Sequence, residues 1–297
     1  MKVGVCGVGR MGAELAERLI ELSHEVHIWN RTTSRCNPLV AQGAKQAASP
    51  AALAEACEAT IVIVTDEAAQ EAIYAGDQGI GQASLRGNLV IDMSTVTPDA
   101  ARKAGEHVAG AGGAYLECPV GGTVTPARAG KLLGMAGGDA ATFERAKPLL
   151  DTLCRRVEHV GEIGCGAAMK LAINLPLAVY WEALGEALSI AAASGVPKEL
   201  AADLMSDSSG AISVMKSRVS MILGAIDEAE PTKPAFDIAG MAKDLAIMQT
   251  TAEGLGFKVP VAAAAKDAYE DAKANGWSGR DAATQAAWRF SASVKKR

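Results

Sequence analysis

The stretch Lys2-Val3-Gly4-Val5-Cys6-Gly7-Val8-Gly9-Arg10-Met11-Gly12 decides the fold, together with the run Ala13-Glu14-Leu15-Ala16 that follows it. Residues 2–6 read as a short apolar strand, and residues 11–23 as an amphipathic helix. Between them Gly7, Gly9 and Gly12 form GxGxxG. At such a junction the first glycine permits a tight turn, the second lets the backbone approach a pyrophosphate, and the third lets helix and strand pack closely. The start of the helix then offers N–H groups that lack carbonyl partners and suit phosphate oxygens. The spacing predicts a dinucleotide site that includes Gly7, Val8, Gly9, Arg10, Met11 and Gly12.

Working outward, residues 25–29 read as a second strand, and residues 59–65, 88–93 and 114–117 repeat the scheme with helical stretches between them. Residues 131–136 and 156–160 extend the series. Continuous Val/Ile runs separated by helices are what a parallel sheet covered on both faces requires. After about residue 161 the texture becomes rich in Ala and Leu. Residues 164–194 read as one long helix, with Glu182 and Glu186 a turn apart and with Pro176 as a potential kink. Further helices follow, with breaks near Ser206, Glu230, Gly254 and Asn275. The fold class is therefore α/β, with an N-terminal Rossmann-type doubly wound domain (residues 1–162). A long interdomain helix then opens a C-terminal all-α domain (residues 163–297).

Composition excludes several function classes. The 297 residues are 49% hydrophobic and 21% charged, a core-forming balance rather than a disordered one. A net charge of −5 argues against a broad nucleic-acid or anionic-lipid surface, though not against a local basic phosphate pocket. The six cysteines form no CxxC pair. His24 and His27 fall on opposite faces of a strand, so no metal site is expected. No signal peptide and no uninterrupted apolar span of membrane length is read, so a cytoplasmic protein with reduced thiols is expected.

The end of the second strand should meet the adenosine ribose. An NAD site usually places an acidic residue there to accept from the 2′-hydroxyl. This chain has Trp29-Asn30-Arg31-Thr32 instead. Arg31 suits a 2′-phosphate bidentately, and Asn30 and Thr32 are further donors. NADP is therefore the expected cofactor, with NAD the alternative.

Four further segments carry a resemblance. They are Asp92-Met93-Ser94-Thr95, then Glu117-Cys118-Pro119-Val120-Gly121-Gly122 ahead of Ala127, Gly130, Lys131 and Leu132, then Gly164-Cys165-Gly166 with Lys170 and Asn174, and finally Lys243-Asp244-Leu245. With the glycine loop, and in this order along the whole chain, they resemble the β-hydroxyacid dehydrogenase family, of the 3-hydroxyisobutyrate dehydrogenase type. The resemblance implies a homodimer or homotetramer that interconverts a short semialdehyde acid and its 3-hydroxy acid. It implies that Lys170 is the catalytic lysine and Asn174 its polar partner. It places Thr95 and Lys243 near the cofactor, with Val64 and Thr65 completing that set. It places Gly121 and Gly122 near the substrate carboxylate, beside Thr95, Lys170 and Asn174.

Chemistry agrees with these roles. Lys170 and Asn174 are i and i+4 on one helix and so share a face. A positioned lysine can exchange the alcohol proton while hydride leaves the carbon. Gly121 and Gly122 offer main-chain N–H groups free of side chains. The family segment Asp-x-Pro-Val-Ser-Gly-Gly runs here with Glu117 first and with Gly121 in place of the serine; Thr123 is the residue expected to compensate. Ile173 stands where 6-phosphogluconate enzymes carry histidine, which argues against decarboxylation of a sugar acid. Cys118, Trp181, Trp277 and Trp288 are read as packing residues, and Phe236 as a weaker substrate candidate. The alternatives are an imine reductase-like enzyme and a non-catalytic dinucleotide-binding protein.

Overall fold

A computed structural model describes residues 1–294. The chain divides into two compact units, Met1–Leu171 and the residues from Ala172 onward.

The first unit is built on a nine-stranded sheet in the order β3-β2-β1-β4-β5-β6-β8-β7, with β9 paired to β8. Its strands are β1 (Lys2–Cys6), β2 (Glu25–Trp29), β3 (Lys45–Gln46), β4 (Ala59–Val62), β5 (Leu89–Asp92), β6 (Ala114–Glu117), β7 (Val120–Gly121), β8 (Leu132–Gly137) and β9 (Cys154–Gly161). The pairings from β3 to β6 are all parallel; β8 runs antiparallel to β6 and β7 and parallel to β9. The helices are α1 (Arg10–Glu21), α2 (Asn37–Val40), α3 (Pro50–Ala56), α4 (Glu67–Ala75), α5 (Pro98–Gly110), α6 (Val124–Arg128) and α7 (Ala140–Leu153). The β-strand period of two assigns neighbours to opposite faces. Val3, Val5, Ile61, Ile91 and Leu116 join one apolar cluster with Leu15, Leu19 and Leu150. Cys6, Val62, Val90 and Tyr115 join the other, with Leu53, Ile73 and Val108. Both faces are thus covered, as continuous apolar strands demand.

Most helices of this unit begin on a side-chain cap. Ser49, Asp66, Thr97 and Asp139 accept from Ala52, Ala69, Ala100 and Thr142 N–H at the starts of α3, α4, α5 and α7. Helix α1 differs: it starts from Gly9 with no side-chain cap and no acidic residue in its first turn. Its far end closes by a reversal at Ser23 (φ 63°), whose N–H donates to Ile20 O at 2.9 Å, and the chain turns back into β2.

The long helix α8 (Cys165–Ala193) runs unbroken through Pro176. In the second unit it is followed by α9 (Lys198–Asp207), α10 (Val219–Ile226), α11 (Ile238–Gly254), α12 (Pro260–Ala272) and α13 (Gln285–Val294). Trp181, Leu184 and Leu188 of α8 form a core with Ile222 of α10 and Ala286, Ala287 and Phe290 of α13. A Cβ at Gly185 would lie 2.6 Å from Ala286 O, so glycine there sets how closely α8 and α13 approach. Trp181 is buried as expected of a packing residue, and Trp277 and Trp288 lie with ring centroids 5.6 Å apart. No helix among the described residues is long and apolar enough to cross a membrane.

Candidate active site

In the first unit the residues singled out for cofactor and substrate follow the C-terminal ends of strands. Gly7 to Gly12 follow β1, Asn30 to Thr32 follow β2, Val64 and Thr65 follow β4, and Thr95 follows β5. Gly121 to Thr123 lie in and after β7, the short strand beyond β6. Between β1 and β4 the strand order reverses direction, and open α/β sheets bind ligands in the crevice at that point.

The three loop glycines separate by what a side chain would meet. At Gly7, φ is +101° and a Cβ would sit 2.3 Å from Ile63 O. At Gly12 a Cβ would sit 1.9 Å from Gly7 O. The protein itself thus requires both. At Gly9 a Cβ would meet nothing within 4 Å, so no contact within the protein requires glycine there and the space beside it is open. With the uncapped start of α1, this arrangement fits the pyrophosphate of a dinucleotide. We expect Gly9→Ala to leave thermal stability within about 2 °C of wild type, as for a substitution into open space. It should weaken NADPH binding about tenfold, a loss of about 1.4 kcal/mol. Calorimetry and a cofactor titration check this, and unchanged NADPH affinity would refute the assignment.

Asn30 braces this loop. Its Oδ1 accepts from Val8 N–H at 3.1 Å and its Nδ2 donates to Thr32 O at 3.0 Å. Arg31 and Thr32 beyond it are exposed. The turn closes with Arg35 N–H donating to Thr32 O at 3.1 Å, which sets a second exposed arginine on the same turn as Arg31. Neither guanidinium has a partner among the described residues, and the segment from Asn30 to Arg35 holds no carboxylate. Sequence reasoning passed over Arg35 because its spacing from Arg31 becomes a turn only in the fold.

Below the β4 and β5 ends lies a buried carboxylate, Asp92. Its Oδ2 accepts from Gln70 Nε2 (2.8 Å) and Tyr74 Oη (3.0 Å), and its Oδ1 from Ser94 N–H (2.9 Å). Burial pushes its pKa up, and these hydrogen bonds offset part of that rise. Ser94 Oγ accepts from Val64 N–H at 3.1 Å, so the segments carrying Val64 and Thr95 are tied together. Thr65 Oγ1 donates to Asp66.

Gly122 has φ +121° and its Cβ would lie 2.9 Å from Leu132 Cδ2, whereas at Gly121 the closest contact would be an ordinary 3.6 Å to Leu133 Cβ. Thr123 precedes α6 without capping it, and its hydroxyl has no partner among the described residues. Nearby, Glu117 at the end of β6 is 2% exposed and reaches the first turn of α8. Its carboxylate accepts from the N–H groups of Gly164, Gly166 and Ala167. Lys170 follows Ala167 by three residues and is itself buried, 8% exposed.

In the second unit Asn174, four residues after Lys170 on α8, donates through Nδ2 to Asp244 Oδ2 at 2.8 Å. Asp244 is 1% exposed, and its Oδ1 lies 2.9 Å from Lys243 Nζ. One buried carboxylate thus holds both Asn174 and Lys243. It also fixes the amide, because a carboxylate accepts only and so must face Nδ2 rather than Oδ1. Phe236 is half-buried and packs over Gly240, where a Cβ would lie 2.7 Å from its ring. Asp244 was legible only as the neighbour of Lys243. Among the described residues no group of three His, Cys, Asp or Glu is placed to hold a metal ion.

Residues 2–161 match the family described as the NAD binding domain of 6-phosphogluconate dehydrogenase. Residues 164–289 match that described as NAD-binding of NADP-dependent 3-hydroxyisobutyrate dehydrogenase. The chain belongs to the β-hydroxyacid dehydrogenase family. Glyoxylate/succinic semialdehyde reductase 1 of Arabidopsis thaliana is 32% identical over 93% of this chain and 94% of its own length. The 2-hydroxy-3-oxopropionate reductase of Escherichia coli strain K12 is 32% identical over 95% of this chain and 94% of its own. The solved structure of Mycobacterium tuberculosis 3-hydroxyisobutyrate dehydrogenase with L-serine is 26% identical, with a TM-score of 0.84 over 96% of this chain and 97% of that one. As a member of this family the chain is an NAD(P)-dependent oxidoreductase.

Proposed function

We propose that this protein interconverts a short semialdehyde acid and its 3-hydroxy acid with NADP(H), Lys170 exchanging the proton. The observation that carries the reading is a lysine buried on α8, one turn before an asparagine whose amide is locked by Asp244. Taking an ammonium out of water costs several kcal/mol, and proton transfer gives a lysine at this depth a use. The bound nicotinamide supplies hydride in reduction and accepts it in oxidation. Lys170 donates to the aldehyde oxygen, stabilises the charge that develops there, and yields its proton to the alkoxide. With Nδ2 turned to Asp244, Asn174 offers Oδ1 as the acceptor that orients the lysine or the alcohol. Gly121 and Gly122 cradle the carboxylate through N–H groups, with the Thr123 hydroxyl in the part of the family serine. The exposed Arg31 and Arg35 pair with the 2′-phosphate, which favours NADP over NAD. The same family reading carries a homodimer or homotetramer, which light scattering would check.

The test is NADPH oxidation with a panel of C2 to C4 aldehyde acids. Saturable turnover of at least one supports the reading. Cofactor binding without any turnover would favour a non-catalytic dinucleotide-binding protein, and reduction of cyclic imines alone would favour an imine reductase-like enzyme.

Position 121 offers a finer probe of the substrate end. Its backbone conformation is one that any residue adopts, and the space around a Cβ there is ordinary. Gly121→Ser is expected to raise kcat/KM for a small 3-hydroxy acid by about two- to tenfold, one neutral hydrogen bond being worth roughly 0.5–1.5 kcal/mol. Kinetics on two acids of different size check this. A loss of activity confined to the larger acid would instead show that Gly121 makes room for bulk.

A further inference from the structure

We propose that Glu117 is a positioning residue for Lys170, its ionised carboxylate clamping the N–H groups of Gly164, Gly166 and Ala167 at the start of α8 and so fixing the turn from which the lysine projects. The proposal rests on the reading of Lys170 as the proton donor, but one arm of its test does not depend on that reading.

The first turn of any helix leaves N–H groups without carbonyl partners, and a negative charge there is favoured by the helix dipole. In α8 no residue of the helix itself does this work: Gly164, Cys165 and Gly166 carry no capping oxygen. The acceptor comes instead from strand β6. Glu117 Oε1 takes Gly164 N–H at 2.5 Å and Gly166 N–H at 2.8 Å, while Oε2 takes Ala167 N–H at 3.2 Å. Three donors on two oxygens set the helix start in translation and in rotation about its axis. Lys170 lies less than one turn further on.

The surrounding glycines are shaped to this carboxylate. A Cβ at Gly137 would fall 2.2 Å from Glu117 Oε1, and one at Gly166 would fall 3.1 Å from the same atom. Gly164 has φ +103°, the conformation that turns its N–H inward. Glu117 also begins the segment that leads to Gly121 and Gly122. One side chain thus registers the stretch proposed to hold the substrate carboxylate against the helix proposed to deliver the proton.

The arrangement works against stability. Burial pushes the Glu117 pKa up to about 7 although three N–H groups pull it down, and the charge of Asp92 on β5 adds to the rise. Tyr115, two residues before it on β6, and Cys118, just past the end of that strand, are both held in their neutral forms by burial. A carboxyl whose folded pKa stands above its ordinary 4.5 binds its proton more tightly in the folded protein. Its contribution to stability is present at low pH and is lost as pH rises through about 7. A carboxylate kept at such a site against stability suits a functional demand rather than a structural one.

Glu117→Gln keeps shape and removes charge, but its NH2 group cannot accept from a backbone N–H. Three outcomes are expected. NADPH affinity stays within about threefold of wild type. The kcat falls by about 10- to 100-fold, as for a catalytic group displaced by a fraction of an ångström to one ångström. The melting temperature of the variant relative to wild type rises by at least about 3 °C between pH 5.5 and pH 8, the ionisation cost having been removed. Glu117→Asp, which keeps the charge on a shorter stem, should recover part of kcat. The melting comparison reads Glu117 alone, so it stands even if Lys170 proves not to be the donor. Wild-type kcat in Glu117→Gln, a variant that loses kcat and NADPH affinity together, or a failure of both variants to fold would each overturn the proposal.

Discussion

Lys170→Ala is expected to lower the single-turnover rate of NADPH oxidation by about three orders of magnitude or more, with NADPH affinity unchanged within a few-fold. Hydride arriving at an aldehyde carbon leaves an oxygen that must be protonated at once. A positioned acid is worth about 10²–10⁴ in rate, and stabilisation of charge in a site shielded from water adds to it. Lys170 is the buried cation of α8, and the residues assigned to cofactor binding lie at the strand ends of the first unit or, for Lys243, on α11, so rate and affinity should separate. Lys170→Arg should fail nearly as badly, because a guanidinium keeps its proton at any working pH and cannot serve as base in alcohol oxidation. Asn174→Ala should show a mixed effect. It removes the acceptor proposed to orient the lysine, and it strips Asp244 Oδ2 of its donor, which costs about 1–3 kcal/mol of stability for a buried acceptor left unpaired. A Lys170→Ala rate within tenfold of wild type would mean that the proton comes from elsewhere.

What the sequence made legible, and what it hid, follows from how far apart the interacting groups lie. The strands were read because each is a local apolar run, and Glu25–Trp29 and Ala114–Glu117 coincide with the expected segments. The run over residues 59–65 ends as a strand at Val62 because Val64 N–H turns to Ser94 Oγ instead of a strand neighbour. The two-residue strands β3 and β7 and the short helices α2 and α6 are too brief to show any period. The glycine loop was legible because its three requirements are local, and the structure divides them as the motif does: two glycines demanded by the chain and one left open. The supporting carboxylates were not. Glu117 meets Gly164 across 47 residues, and Asp244 meets Asn174 across 70. Across those separations the partners are backbone amides and a neutral side chain, which leave no charge pattern to read. A carboxylate in a sequence is by default a surface residue, and only the fold reveals that these are buried.

Arg31→Asp is expected to reverse the cofactor order. In the wild type NADPH should exceed NADH in kcat/KM by at least about tenfold, since a charge-assisted pair with the 2′-phosphate is worth roughly 1.5–3 kcal/mol. Arg31 and Arg35 stand exposed on one turn after β2 without carboxylate partners, so both are available to that phosphate. An aspartate at 31 would repel the phosphate and accept from the 2′-hydroxyl of NADH. The two effects act in opposite directions on the two cofactors, so the ratio of their kcat/KM values should shift by about 10²-fold, each tenfold being about 1.4 kcal/mol. Arg35→Ala should reduce the preference without reversing it, because it removes attraction and adds no repulsion. Both arginines are exposed, so the wild-type preference should shrink as ionic strength rises, screening over roughly 8–10 Å at physiological salt. The measurement is kcat/KM for each cofactor at two salt concentrations. Equal values for NADPH and NADH in the wild type would sink the assignment, because the turn from Asn30 to Arg35 would then have no phosphate to recognise.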